Sequence, residues 1–274
     1  MSRIERALEQ KMRNLNEGSA TKNDSDPGKE SPSEQANVGE LGVNLSSLSK
    51  ITLNSVDLYR HRVIMNSEDP IAASAYKILR TRILQRMRAN GWRTLAVTGT
   101  CPDEGKTLTA INLAFSMSRD VNTTTILVDL DLRRPTIHQY LNHTPRYGIL
   151  DCLRDRVTVE EAMVNPGIKR LGLLLNNEAI DNSSETLASP KMSQLMTELR
   201  AGTDRIVIFD MPPLSASDDV LAFGPLVDAV LIVTAEGITK HQTLLQAKDM
   251  SQDMNVIGTV LNMSSDKSSS YYYS

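Results

Sequence analysis

Aromatic side chains are scarce. They make up 4% of the 274 residues, and three of the seven tyrosines stand together at the very end, so any core must be built from aliphatic residues. Cysteine is nearly absent. Cys101 and Cys152 cannot form a disulfide framework or a cysteine-rich metal site, and they suit a reducing cytosol. Neither sign of charge dominates: 30 basic residues face 33 acidic ones for a net charge of -3, which gives no reason to expect a nucleic-acid partner. No apolar run approaches the roughly 18 residues needed to cross a bilayer. The first ten residues, MSRIERALEQ, lack the apolar centre of a signal peptide. A cytoplasmic protein is expected, one that reaches the inner face of a plasma membrane only by recruitment. What remains is ordinary, 40% hydrophobic residues in a length that suits one large α/β domain or two small ones.

Along the chain, Ile4, Ala7, Leu8, Met12 and Leu15 recur every three or four positions and predict a short amphipathic helix over residues 1–16. It would serve as a docking helix or remain a frayed, solvated one. Residues 17–50 turn polar, without an aromatic, and read as a disordered linker. Order is expected over 51–263. Pro70 to Met87 predicts a helix with Ile71, Ala75, Ile78, Leu79 and Ile83 on its apolar face. Short apolar runs then alternate with helical patterns. The runs are Leu95–Val97, Thr125–Val128, Leu171–Leu175, Arg205–Phe209, Ala229–Val233 and Val256–Leu261. The helices are Lys106–Arg119, Glu185–Arg200 and Thr239–Met250. Continuous apolar strands between helices mean a mostly parallel sheet covered on both faces, an α/β fold; a phosphate loop after one of its strands would make it the α/β fold of a P-loop NTPase. Residues 264–274 are expected to be a flexible, tyrosine-rich tail.

The strand LAVTG runs through TCPDEGKT straight into a helix. In that setting the loop amides and the helix N-terminus face an anion, and Gly105 lets the backbone approach phosphate. Lys106 would reach the β- and γ-phosphates of ATP, and the Thr107 hydroxyl would ligate Mg²⁺. The spacing departs from the usual phosphate loop, because Thr100 occupies the first glycine slot and Gly99 falls one place early. A GKT tripeptide alone could be chance; the strand–loop–helix context argues against that. Two further strands end in aspartate, Asp129 with Asp131 beyond one and Asp210 at the other. In an open α/β sheet such strand ends converge on one crevice. Mg²⁺ takes hard oxygen ligands, so Thr107, Asp129, Asp131 and Asp210 form a candidate metal set. One of the paired aspartates could take a proton from an attacking hydroxyl. Each aspartate alone could equally be a helix cap or turn residue. Tyr271, Tyr272 and Tyr273, on a serine-rich end, bury nothing as structure. They read as phosphoacceptors or as an incidental or membrane-interfacial aromatic tail. Each phosphorylation would add about -1.5 to -2 charges.

With these residues in order, the chain resembles the bacterial tyrosine kinases (BY-kinases) of polysaccharide export over roughly residues 68–273. TCPDEGKT, ILVDLDLRRP, IVIFDMPP and the terminal tyrosine cluster carry the resemblance. It implies ATP and Mg²⁺ as cofactors, and Thr100, Pro102, Glu104, Gly105, Lys106, Thr107 and Leu108 as the nucleotide-binding loop. Lys106, Asp129 and Asp131 take catalytic roles, and Asn262 lies near the adenine. It further implies a tyrosine autokinase regulating exopolysaccharide polymerisation and export. A membrane-embedded chain-length or co-polymerase protein would activate it, a second copy would support trans-phosphorylation, and a tyrosine phosphatase would oppose it. The N-terminal helix and linker are similar to stand-alone kinases of exosortase-linked loci. One departure is plain. The family's Glu-x-x-Arg-x-x-Arg ring motif falls on Ser74, Lys77 and Arg80, and lysine does not reproduce the bidentate geometry of arginine. Two other readings share the loop and sheet: a positioning ATPase of the MinD/ParA kind, and a scaffold that holds nucleotide without turning it over.

Overall fold

A strand that is buried at every position needs cover on both sides, and four of the described strands are of this kind. The computed structural model describes residues 43–65, 69–202 and 204–265. The expected helix at 1–16, the linker as far as residue 42 and Tyr271–Tyr273 lie outside the described residues. Eight strands form one sheet: β1 (Ser49–Lys50), β2 (Thr94–Gly99), β3 (Thr124–Asp129), β4 (Val164–Asn165), β5 (Leu171–Leu174), β6 (Arg205–Asp210), β7 (Ala229–Ala235) and β8 (Val256–Asn262). Their order across the sheet is β1-β4-β5-β3-β6-β2-β7-β8. Every neighbouring pair is parallel except β4 with β5.

The helices are α1 (Ser55–Arg60), α2 (Pro70–Asn90), α3 (Lys106–Met117), α4 (Ile137–Tyr140), α5 (Ile149–Leu153), α6 (Val159–Ala162), α7 (Ser183–Leu187), α8 (Pro190–Arg200), α9 (Asp219–Phe223) and α10 (His241–Met250). Because side chains alternate along a strand, the sheet divides its residues between two cores. Ala96, Ile126, Val128, Val207, Phe209, Val230 and Ile232 pack on one face with α8 and α9. Leu95, Val97, Leu127, Ile206, Ile208, Leu231 and Val233 pack on the other with α2 and α3. On the first face Phe209 and Phe223 meet edge to face, ring centroids 5.0 Å apart.

Three local expectations are corrected. Helix α2 begins where expected: Asp69 caps the Ala72 amide, and Pro70 occupies the first turn, where its missing N–H costs nothing. Its buried stripe, however, is Ile83, Leu84 and Met87, with Leu79 half-buried beside them, while Ile71, Ala75 and Ile78 face outward. Of the expected apolar positions, only Leu79 and Ile83 meet the core. The single helix expected over Glu185–Arg200 is two, α7 and α8. Pro190 disfavours helical backbone at Ser189, whose hydroxyl caps the Met192 amide and starts a second helix. Order also begins before residue 51. Val43 is buried, its carbonyl accepts from Arg205 Nη2 at 2.6 Å, and Ser49–Lys50 pair with Val164–Asn165 as an edge strand.

Candidate functional site

The strand order places β3, β6 and β2 side by side, so their carboxyl ends deliver three segments to one crevice. Asp129 and Asp210 are direct register partners across β3 and β6. The strand after Asp129 does not continue, and Leu130 turns into the core, yet Asp131 returns to the same place. Lys106 at the start of α3 donates to Asp131 Oδ2 at 2.8 Å and stands 4.0 Å from Asp210 Oδ1 and 3.3 Å from Thr107 Oγ1. The lysine and the three aspartates expected from sequence are therefore brought together, with Thr107 buried among them.

Electrostatics follow from that burial. Asp129 has no exposure; burial and the Asp210 charge beside it push its carboxyl well above the usual carboxylate range. The amides of Thr136 and Ile137 donate to its Oδ2 at 3.1 and 3.0 Å, while Oδ1 has no hydrogen-bond partner among the described residues. Burial also raises Asp210, to about 6, against the Lys106 ammonium and the Thr107 hydroxyl beside it. Neither Asp210 oxygen closes a well-formed hydrogen bond. Burial pulls Lys106 down, and the Asp210 and Asp131 carboxylates more than restore it, so its net shift is upward.

Three buried carboxylate oxygens that close no hydrogen bond among the described residues, next to an ammonium and a hydroxyl, suit a hard cation carrying its own oxygen ligands. Among the described residues no three His, Cys, Asp or Glu side chains form a metal cage by themselves.

The loop itself is built around two glycines. Gly105 has φ of +80°, and a Cβ there would overlap the Asn262 amide. Asn262, at the end of β8, donates from Nδ2 to the Glu104 carbonyl at 2.9 Å, so the structure places it against the phosphate loop. Gly99 leaves the space that the Glu104 carboxylate fills. Thr100 is buried and bonded to Glu104, Pro102 is exposed at the tip, and Leu108 is half-buried at the edge of the core. Sequence reading missed the donors to Asp129 from Thr136 and Ile137, which lie seven and eight residues away beyond a turn. It also missed Thr239, whose hydroxyl reaches Glu104 from beyond β7. No local spacing announces either contact.

This fold and this site define a P-loop nucleotide-binding domain. No family model matches the chain. It is 28% identical to the tyrosine-protein kinase YwqD of Bacillus subtilis over 75% of this chain and 86% of that protein. It is 28% identical to the succinoglycan biosynthesis transport protein ExoP of Rhizobium meliloti over 73% of this chain, but spans only 26% of ExoP. The solved kinase domain of the Escherichia coli tyrosine kinase ETK superposes with a TM-score of 0.66 at 25% identity, covering 76% of this chain and 82% of that one. Along most of its length the chain is similar to bacterial tyrosine kinases. A ParA family ATPase from Chlorobium tepidum shares the fold more distantly, with a TM-score of 0.53 at 18% identity.

Proposed function

We propose that this protein is an ATP-dependent tyrosine autokinase that modifies Tyr271, Tyr272 and Tyr273 and regulates exopolysaccharide polymerisation and export. The observation that carries the reading is the convergence of Lys106, Asp129, Asp131 and Asp210 at the ends of neighbouring strands, in a chain related to tyrosine-protein kinases. MgATP, when bound, supplies the γ-phosphoryl group and the charge that offsets these carboxylates. Thr107, Asp129, Asp131 and Asp210 are the residues to hold the metal and its waters. Lys106 would hold the β/γ-phosphate oxygens in place of its bond to Asp131. Asp131 Oδ2 would then be open to accept the proton of a tyrosine hydroxyl, whose pKa near 10 otherwise keeps it protonated at neutral pH. Asp131 suits this part because it alone of the three aspartates has any exposure. Asp129 and Asp210 stay inside, where their positions are fixed by the sheet.

Among the described residues no helix is long and apolar enough to cross a membrane. Activation by a separate membrane-embedded chain-length or co-polymerase partner is also part of the proposal, as are cytoplasmic residence with recruitment to the membrane, trans-phosphorylation by a second copy and reversal by a tyrosine phosphatase. ExoP is a biosynthesis transport protein by name, which supports the link to polysaccharide export. Mass spectrometry of the purified protein after incubation with MgATP and its activator tests the kinase reading: tail phosphotyrosine is expected in the parent and not in Lys106→Met. The similarity of fold to ParA-type ATPases keeps one second reading, an ATP-driven positioning switch. Phosphate release without phosphotyrosine would favour it, and tight ATP binding with neither product would favour a scaffold.

A further inference from the structure

Glu104 belongs to the loop expected to hold the nucleotide, and its side chain turns back onto the loop's own residues. It is buried, and five donors converge on its two oxygens. The Thr100 amide donates at 2.5 Å and the Cys101 amide at 3.0 Å, both to Oε2. The Thr100 hydroxyl, the Cys101 thiol at 3.3 Å and the Thr239 hydroxyl donate to Oε1. A carboxylate offers about four acceptor positions, so this one has none left for a metal or a phosphate donor. Gly99 is what admits it: a Cβ at that position would meet Glu104 Oε2.

The far donor, Thr239, is itself fixed. Its hydroxyl accepts from the Ala235 amide at 2.8 Å, and its own amide donates to the Ala235 carbonyl at 3.0 Å, closing the turn between β7 and α10. The main chain of the same glutamate is tied to β8 through Asn262. One residue thus joins the phosphate loop to both strands that follow it in space.

We infer that Glu104 is a positioning residue: its carboxylate organises the first half of the phosphate loop from within and couples the shape of that loop to the β7–α10 corner through Thr239. In a loop without the usual first glycine, this internal carboxylate sets the path of residues 99–101. A displacement of the corner removes a donor from the loop. The inference rests on the nucleotide-binding reading of the loop, so its test includes a readout that needs no nucleotide.

The test compares Thr239→Val, Thr239→Ser, Glu104→Gln and the Glu104→Gln/Thr239→Val double variant with the parent. Two quantities are measured: affinity for a fluorescent ATP analogue with Mg²⁺, and hydrogen exchange at the Thr100 and Cys101 amides in nucleotide-free protein. Removing one donor to a charged, buried acceptor is expected to weaken binding about tenfold in Thr239→Val and to speed exchange at both amides. Thr239→Ser should restore both quantities. The double variant should bind no more weakly than Glu104→Gln alone, because both changes break one unit. Parental binding and exchange in Thr239→Val would overturn the inference. So would a Glu104→Gln variant that loses Mg²⁺ dependence with unchanged exchange, since that pattern belongs to a direct ligand. If Glu104→Gln does not fold, the valine and serine variants decide the matter. If the parent itself binds no nucleotide, the functional reading fails, and the exchange rates alone support or refute the brace.

Discussion

Replacing Gly105 by alanine tests the geometry of the loop most directly. The residue sits at φ of +80°, where a side chain costs roughly 1 to 2 kcal/mol through contact with the following carbonyl. The new methyl would also overlap Asn262 Nδ2, which is engaged with the Glu104 carbonyl at 2.9 Å. The asparagine can swing away, but only by giving up that hydrogen bond, worth about 1 kcal/mol. The two costs sum to roughly 2 to 3 kcal/mol, or a fall in Tm of about 4 to 12 °C for a domain of this size. Urea denaturation of the nucleotide-free protein would measure it, provided the m-value is unchanged. The origin of the cost is separable. In an Asn262→Ala background the overlap is gone and only the backbone strain remains, so Gly105→Ala should cost about 1 kcal/mol less there than in the parent. An equal cost in both backgrounds would refute the contact between β8 and the loop. A stable Gly105→Ala protein would refute the left-handed conformation itself.

Three further outcomes are expected. Asp210→Asn should stabilise the metal-free, nucleotide-free protein above pH 6 by roughly 3 kcal/mol while abolishing Mg²⁺-dependent nucleotide binding. The Asp210 carboxyl is raised to about 6 in the folded state. Its contribution to stability is therefore complete below about pH 4 and lost as pH rises through 6, a loss the amide does not suffer. Chemical denaturation in chelator at pH 5 and 8 checks this, and a less stable variant at pH 8 would count against it. Asp228→Asn should destabilise at neutral pH by about 1 to 2 kcal/mol. The Asp228 carboxylate accepts from the Arg93 and Thr94 amides at 2.8 and 2.9 Å and from Arg200 at 2.7 Å, and despite its burial these partners hold its pKa below the ordinary value. That stability is present above about pH 4 and fades as pH falls through the depressed value, so the gap between parent and variant should close in acid; a constant gap in a pH series would be wrong. Phe223→Ala should cost roughly 3 to 5 kcal/mol by emptying the space against Phe209, and a loss under about 1 kcal/mol would mean the ring is not packed as described.

Much of this molecule is written locally in its chain. The strands β2, β3, β6, β7 and β8 are legible as apolar runs because each is covered by helices on both faces or carries the alternation of an edge, and either pattern shows in a few residues. The phosphate loop is legible because strand, glycine, lysine and hydroxyl are consecutive. Asp129 and Asp210 are legible because each ends an apolar run. The boundary at Ser189–Pro190 was also local, but a continuous apolar period masked the break that proline imposes.

What only tertiary structure decided is how distant segments meet. The chain carries no mark that Asp129 and Asp210 are paired in register, that the Thr136 and Ile137 amides hold Asp129, or that Asn262 and Thr239 close on Glu104 from 158 and 135 residues away. Nor does it mark which stripe of α2 meets the sheet, since Ile71 and Ile78 are as apolar as Ile83, and only the sheet's position buries one and leaves the others in water. Period and residue type determine what an element is, because those depend on neighbours a few positions away. Which elements touch, and so which carboxylate is bonded and which is left open for a ligand, depends on the crossing order of the strands.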